Sequence, residues 1–218
     1  MDKKALNWEQ LINDGENYGG MEDLSPHEKI VFESIKDNKL LKIQDNFLFS
    51  KKGKVEDNHG INLATLIAGF KPLKDVTTLI ITHNQLGAEG LQIIVNSKII
   101  SKIEYLHLGS NGLGDEGAKI VANAEMFSEV HTLNLECNGI KEEGAIALAN
   151  SPYLTKLTSL NMVDNRAGDA GALAIANSDT LSNLTYLHLG GNRVKSEEVK
   201  KALRESSKLT HLKTLKVF

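Results

Sequence analysis

Cysteine is almost missing from this 218-residue chain: Cys137 stands alone. That excludes an intramolecular disulfide framework and points to a reducing, cytosol-like compartment. No apolar run approaches the length of a membrane span, and none near Met1 has the character of a secretory leader, so a cytoplasmic protein is expected. Basic charge is not in excess either. A formal net charge of −3 and a pI near 6.2 leave no electrostatic footprint for nucleic acid, which calls for a clustered basic face. Asn183-Leu184-Thr185 has the form of a glycosylation acceptor but lacks the export signal that would give it meaning. The length suits one elongated domain with a continuous core, with room for a small cap.

What the chain does have is a period. Asn84, Asn111, Asn138, Asn165 and Asn192 follow one another at intervals of 27 residues. Around each, a frame returns: Ile103-x-x-Leu106-x-Leu108-x-x-Asn111-x-Leu113, then Val130-x-x-Leu133-x-Leu135-x-x-Asn138-x-Ile140. The alternation at Leu106 and Leu108 predicts a short strand, and Ala118, Val121 and Ala122 have helical spacing. Asp115 can cap and charge the start of its own helix. Gly117, Gly144 and Gly171, each followed by Ala, predict a close approach of helix to sheet. Asn96, Asn123, Asn150 and Asn177 end the helices, where left-handed caps are expected. The Asn84 row is read as structural, a stack of amides that satisfies turn backbone inside the solenoid. A unit that cannot bury its own apolar face must stack on its neighbours.

The flanks depart from this frame. Residues 1–45 are more polar, and Ser25-Pro26-His27-Glu28 opens a helix as a capping box with Pro at the first turn. Ile30, Val31 and Ile35 carry its apolar stripe to about Asp37, while Leu6, Trp8, Leu11 and Ile12 predict a shorter helix before it. Residues 1–45 are therefore expected to form an N-terminal helical cap, 46–72 a degenerate first repeat, and 73–218 the regular array. In the degenerate repeat Ala64, Ile67 and Ala68 keep register, but Lys52 and Lys54 occupy strand positions, leaving Phe47-Leu48-Phe49 as the candidate strand. Leu212-x-x-Leu215-x-Val217 repeats the strand frame one residue late. Ala167 replaces the usual Leu or Ile, so looser packing is expected there.

The frame L-x-x-L-x-L-x-x-N-x-[LI], followed by an acidic residue, Gly-Ala and a helical Leu/Ile-Ala pair, resembles the ribonuclease-inhibitor-like leucine-rich repeats. The resemblance runs from about Leu73 to Phe218. It implies an α/β solenoid, a horseshoe with a concave parallel sheet and convex helices, that binds other macromolecules, usually proteins, on the sheet. A short array with its own cap is also similar to leucine-rich-repeat effectors that intracellular bacteria deliver into host cells. Such a protein would be secreted without a classical signal peptide into the host cytosol.

Function must then sit in residues outside the frame, because one fold hosts many functions. Strand alternation aims three columns at the open face: Thr78, Tyr105, Thr132, Ser159, Tyr186; Ile80, His107, Asn134, Asn161, His188; and Thr82, Gly109, Glu136, Val163, Gly190. The candidate protein-binding residues are Tyr105, His107, Asn134, Glu136, Asn161, Asp164, Tyr186 and His188, with Arg166 and Arg193 at the rim. Tyrosine brings large contact area at low entropic cost. The recurrence of Tyr-Leu-His-Leu-Gly is equally explained by shared ancestry of the repeats. Gly109, Gly190 and Gly191 are expected to leave the face shallow.

Chemical alternatives weaken on inspection. Gly112-Leu113-Gly114-Asp115-Glu116-Gly117 has the form of a dinucleotide fingerprint, but its sister slots run Gly139-Ile140-Lys141-Glu142-Glu143-Gly144, so the glycines belong to the turn. His107 and His188 are three strands apart, about 14 Å, too far to share an ion. Cys137 has Ser110 and Asp164 as row neighbours and no base within reach. Leu24 to Ile30 faintly resembles an F-box opening, which would make the chain an adaptor recruiting a ubiquitin ligase. The expectation is a monomeric, non-enzymatic module with a protein partner, no cofactor, no metal, and no nucleic-acid or membrane ligand.

Overall fold

The computed structural model describes residues 35–37, 39–44 and 59–218. Among them one sheet runs in sequence order from β1 to β8. Strand β1 (Ile35–Asp37) is antiparallel to β2 (Leu40–Gln44). From β2 onward every neighbour is parallel: β3 (Thr78–Thr82), β4 (Tyr105–His107), β5 (Thr132–Asn134), β6 (Ser159–Asn161), β7 (Tyr186–His188) and β8 (Thr214–Lys216). Six helices alternate with these strands: α1 (His59–Gly69), α2 (Gly87–Val95), α3 (Gly114–Asn123), α4 (Glu142–Ala149), α5 (Gly168–Ala176) and α6 (Glu197–Arg204). This is the α/β leucine-rich-repeat solenoid.

Inward strand residues such as Leu106, Leu108, Leu133, Leu135, Leu160 and Met162 have no exposed surface, and Phe127 fills the layer beneath them. Each such side chain contributes about 1.5–3 kcal/mol by leaving water. One continuous core results, running from Leu41 to Leu209.

The N-terminal end differs from the sequence reading. Ile35–Asp37 is a strand rather than the end of a helix, and β2 lies within the stretch expected to be cap. The remainder of the expected cap, and Phe47-Leu48-Phe49, lie outside the described residues. Leu41 pairs with Leu79 and Ile43 with Ile81, an offset of 38 rather than 27. At that offset Asn46 aligns with Asn84 and Leu48 with Leu86. The first repeat therefore keeps the sequence frame and carries extra residues before α1, which a search at the regular interval misses.

The Asn column joins the repeats. Asn111 and Leu113 backbone N–H groups donate to Asn138 Oδ1 at 3.0 and 3.3 Å, and Asn138 Nδ2 donates to the carbonyls of Leu108 and Leu135 at 2.9 and 3.0 Å. The Asn138 N–H passes to Asn165 Oδ1 at 3.1 Å, and Asn84 N–H to Asn111 Oδ1 at 3.0 Å. Asn192 continues the series, accepting from Ala167 N–H and donating to the Met162 carbonyl. The preceding residues His83, Ser110, Cys137 and Asp164 all have φ between 53 and 59°, the left-handed conformation this turn requires.

A second column went unseen in the sequence. Ser97, Ser151 and Ser206 hydroxyls donate to the carbonyls of Ala68, Ala122 and Ala176 in the repeat before, at 2.6, 2.5 and 2.5 Å. Ser178 does the same to Ala149. Ala124 interrupts this column, and a shallow groove lined by Val95, Lys119, Ile120 and Ala124 lies between α2 and α3. Ala167 is fully buried.

Three local expectations also change. The helix-ending Asn96, Asn150 and Asn177 have φ of −80, −104 and −101°, not left-handed. Asn150 and Asn177 instead donate Nδ2 to the carbonyl one turn back at 3.0 Å, as Asn123 does at 2.8 Å. A Cβ on Gly144 would lie 2.9 Å from the Ala118 Cβ and one on Gly171 2.7 Å from the Ala145 Cβ, so these glycines serve the neighbouring helix rather than the sheet.

The third change concerns Asp115, which caps the next helix rather than its own. Its Oδ1 accepts from Lys141 and Gly144 N–H at 2.7 and 3.0 Å. Asp169 accepts from Lys195 and Ser196 N–H at 2.8 and 3.0 Å on the approach to α6, whose start is capped by its own Ser196 Oγ, the acceptor for Val199 N–H at 3.3 Å. Gly114 and Gly168, left-handed at φ 59 and 62°, instead donate N–H to the next Asn carbonyl. Lys141 is extended at φ −100° and uses the aspartate.

Two stability outcomes follow, both readable by thermal or denaturant unfolding. Asn138→Leu should cost about 1–3 kcal/mol by stranding the N–H and carbonyl groups it serves. Asp115→Ala should cost about 0.5–2 kcal/mol, the range for a lost helix cap, and Asp115→Asn should recover part of it.

Candidate protein-interaction face

Register sets the open face. Tyr105, Thr132, Ser159 and Tyr186 stand side by side, as do His107, Asn134, Asn161 and His188. The structure extends both rows beyond the sequence reading. Lys42 lies beside Ile80 in the second row, and Lys216 beside His188. Lys42 was hidden by the irregular first repeat. Lys216 was legible in the late frame at Leu212, as was Phe218, which falls in the third column.

The centre is one polar network. Asn161 Nδ2 donates to Glu136 Oε2 at 2.9 Å and Asn134 Nδ2 to the same oxygen at 3.3 Å. His107 Nε2 lies 3.5 Å from Glu136 Oε1. The Asn134 and Asn161 Oδ1 atoms accept from the backbone N–H two residues on, at Glu136 and Val163. Asn134, Glu136 and Asn161, from two neighbouring repeats, are thus held together before any partner arrives, with the His107 ring beside them.

The second cluster is aromatic. Tyr186 and His188 meet edge-on at 6.2 Å between ring centres, with the Tyr186 hydroxyl 3.4 Å from His188 Nδ1. Phe218 lies 5.9 Å from the His188 ring, and Lys216 Nζ sits 5.8 Å from the centre of the Tyr186 ring. Tyr105, 36% exposed, stands apart from this group.

The glycines do not leave open troughs. A Cβ on Gly109 would come within 3.0 Å of both His107 Nε2 and Glu136 Cγ, and one on Gly190 within 2.9 Å of the Phe218 ring and 3.0 Å of His188 Nε2. Each histidine folds over the glycine two residues on, which explains the recurring His-Leu-Gly in packing terms. Gly191 is itself exposed, but a Cβ there would collide with Asp164. Thr82, expected on the open face, is buried.

Asp164, Arg166 and Arg193 are exposed at the ends of the strands, outside the central network. Cys137 Sγ lies 4.0 Å from Asp164 Oδ2, and burial and then the Asp164 charge push the thiol pKa up, which keeps it protonated and unreactive. His107 and Glu136 are two side chains without a third ligand, and among the described residues no group of three or more His, Cys, Asp or Glu is placed to hold a metal. Among those residues no helix is long and apolar enough to cross a membrane.

Burial holds the His107 imidazole below its ordinary value, against the opposing pull of Glu136. The folded chain therefore binds fewer protons here than the unfolded chain does. His107 leaves stability untouched above about pH 6.5 and reduces it as pH falls through its lowered folded value. An NMR titration of the ring should give a midpoint below that of a free histidine, and Glu136→Gln should lower it further. A midpoint raised by Glu136→Gln would contradict this electrostatic account.

A family described as Leucine Rich repeat matches residues 74–95, 101–122, 130–149, 153–176 and 180–197. No curated protein matches the chain. Among solved structures, the tropomodulin C-terminal domain of Caenorhabditis elegans is 17% identical, with a TM-score of 0.48, over 70% of this chain and 91% of that one.

Proposed function

We propose, from the premise that this chain is a leucine-rich-repeat protein, that it is a non-enzymatic module binding another protein across its concave sheet. Such repeats generally serve protein–protein interaction. The observation that carries the reading is the prearranged row on adjacent strands, with Asn134 and Asn161 tied to Glu136, His107 beside it, and Tyr105 and Tyr186 flanking it. Side chains already held in place lose little entropy on binding. Tyrosines at the two flanks offer the anchors on which interface energy concentrates. The setting we infer is the cytosol. The form of that reading we favour is a delivered effector acting on a host protein.

The test compares capture of one identified partner by three versions of the chain. Tyr105→Ala combined with Tyr186→Ala should cost more than about 2 kcal/mol of binding, roughly thirtyfold in Kd, with an unchanged melting midpoint. Lys119→Ala removes an exposed lysine on α3 that bridges Glu116 and Glu143, and should bind as the unaltered chain does. Full binding by the tyrosine variant, with loss from the Lys119 variant, would move the site to the helices.

A further inference from the structure

The second row of the open face has an uneven charge pattern. It runs Lys42, Ile80, His107, Asn134, Asn161, His188, Lys216 across seven strands. A cation stands at each end and no acid stands between. Neither lysine forms an ion pair with a carboxylate of the described residues; Lys216 instead rests on the Tyr186 ring. Burial lowers the pKa of both histidines, so they remain neutral near pH 7. The Asn134 and Asn161 oxygens are already taken by backbone N–H groups.

The neighbouring charges reinforce this pattern. Glu136 has its carboxylate engaged by two amides, from Asn134 and Asn161. Asp164 lies against Cys137 and beside Gly191. Arg166 and Arg193, exposed on successive repeats at the strand ends, form no ion pair among the described residues. The second row itself therefore carries positive charge at both ends and none between, although the whole chain carries −3.

Spacing adds a length. Six strand intervals of about 4.8 Å separate Lys42 from Lys216, roughly 29 Å, and an extended chain covers that span in about nine residues. Phosphates of a single-stranded nucleic acid call for cations along the whole track and for exposed rings on which bases stack. Here the middle of the row is uncharged and only Tyr105 among its tyrosines is well exposed.

We propose that the concave row takes an extended protein segment of about nine residues, with carboxylates toward both ends and an uncharged middle. Lys42 receives one end. Lys216, helped by Arg193 and Arg166, receives the other, and the segment lies across the Asn134–Asn161 centre between Tyr105 and Tyr186. This inference rests on the concave-face reading above and names the chemistry of its partner.

The experiment is fluorescence anisotropy with the full chain and labelled synthetic probes. The first probe has aspartate clusters at both ends of a glycine–serine stretch about nine residues long. A second gathers the same aspartates in the middle, a third replaces them with lysines, and a fourth is an oligothymidylate of equal charge. The first should bind at least about fivefold more tightly than any other, and its binding should weaken as ionic strength rises. Lys42→Glu with Lys216→Glu should weaken it at least about tenfold at an unchanged melting midpoint, while Lys119→Ala leaves it alone. If the Lys42 change unfolds the chain, Lys216→Glu with Arg193→Glu should give the same loss.

Equal binding of the first two probes, tighter binding of the oligothymidylate, or indifference to both charge reversals would overturn the proposal. If the Tyr105/Tyr186 variant loses its captured partner yet no acidic probe binds, only this inference fails. If that variant keeps its partner, the concave-face reading fails as well.

Discussion

Strands β3 to β7 each leave the sheet through a turn with buried backbone groups, and the amide of one asparagine per repeat satisfies them. Asn138 receives two N–H groups from the repeat before it and returns its own N–H to the repeat after it. The bond is thus neither local nor optional. A buried amide with no partner costs about as much as a large core deletion. The regular interval of the chain is the distance at which these amides find each other. The apolar layers that supply most of the stability are aligned by that spacing, and the open face inherits its straight rows from it.

The rows matter because position on this sheet is set by register rather than by side-chain preference. Tyr105 and Tyr186 are brought to one face by parallel pairing with Thr132 and Ser159 between them. The centre is then fixed a second time, by Glu136 drawing together amides from two strands. A surface held twice, by backbone and by side chains, is suited to recognising a partner without first rearranging.

Much of this was legible from residue order alone. The interval between Asn84 and Asn111, the alternation at Leu106 and Leu108 and the helical spacing of Val121 and Ala122 lead directly to the solenoid, since each is a local consequence of what must be buried. The inner residues of the face were legible too, because alternation leaves no choice of direction. Less visible were contacts between repeats. Nothing local to Asp115 says that its carboxylate turns to Lys141 rather than to its own helix, and Ser97 reaching Ala68 spans a repeat boundary in the same way. The first strand was missed for another reason: added residues before His59 move it away from where a fixed interval looks. The glycines of the face were misjudged because their open space belongs to His107, Glu136 and Phe218, side chains whose rotamers no spacing rule supplies.

The reach of Asp115 and Asp169 into the following repeat has a consequence for how such a chain lengthens or shortens. From α3 to α6, helices that begin with a left-handed glycine and carry an aspartate alternate with helices whose preceding lysine N–H takes that aspartate from the unit before. Loss of the α5 unit would set two lysine-type repeats in contact, leaving the Lys195 and Ser196 N–H groups without their acceptor. Loss of the α4 unit would instead set two glycine-type repeats together, with a carboxylate facing an N–H already committed elsewhere. Between α3 and α6 the unit of this architecture is accordingly the pair, and a deletion there that conserves these contacts should remove two repeats at a time.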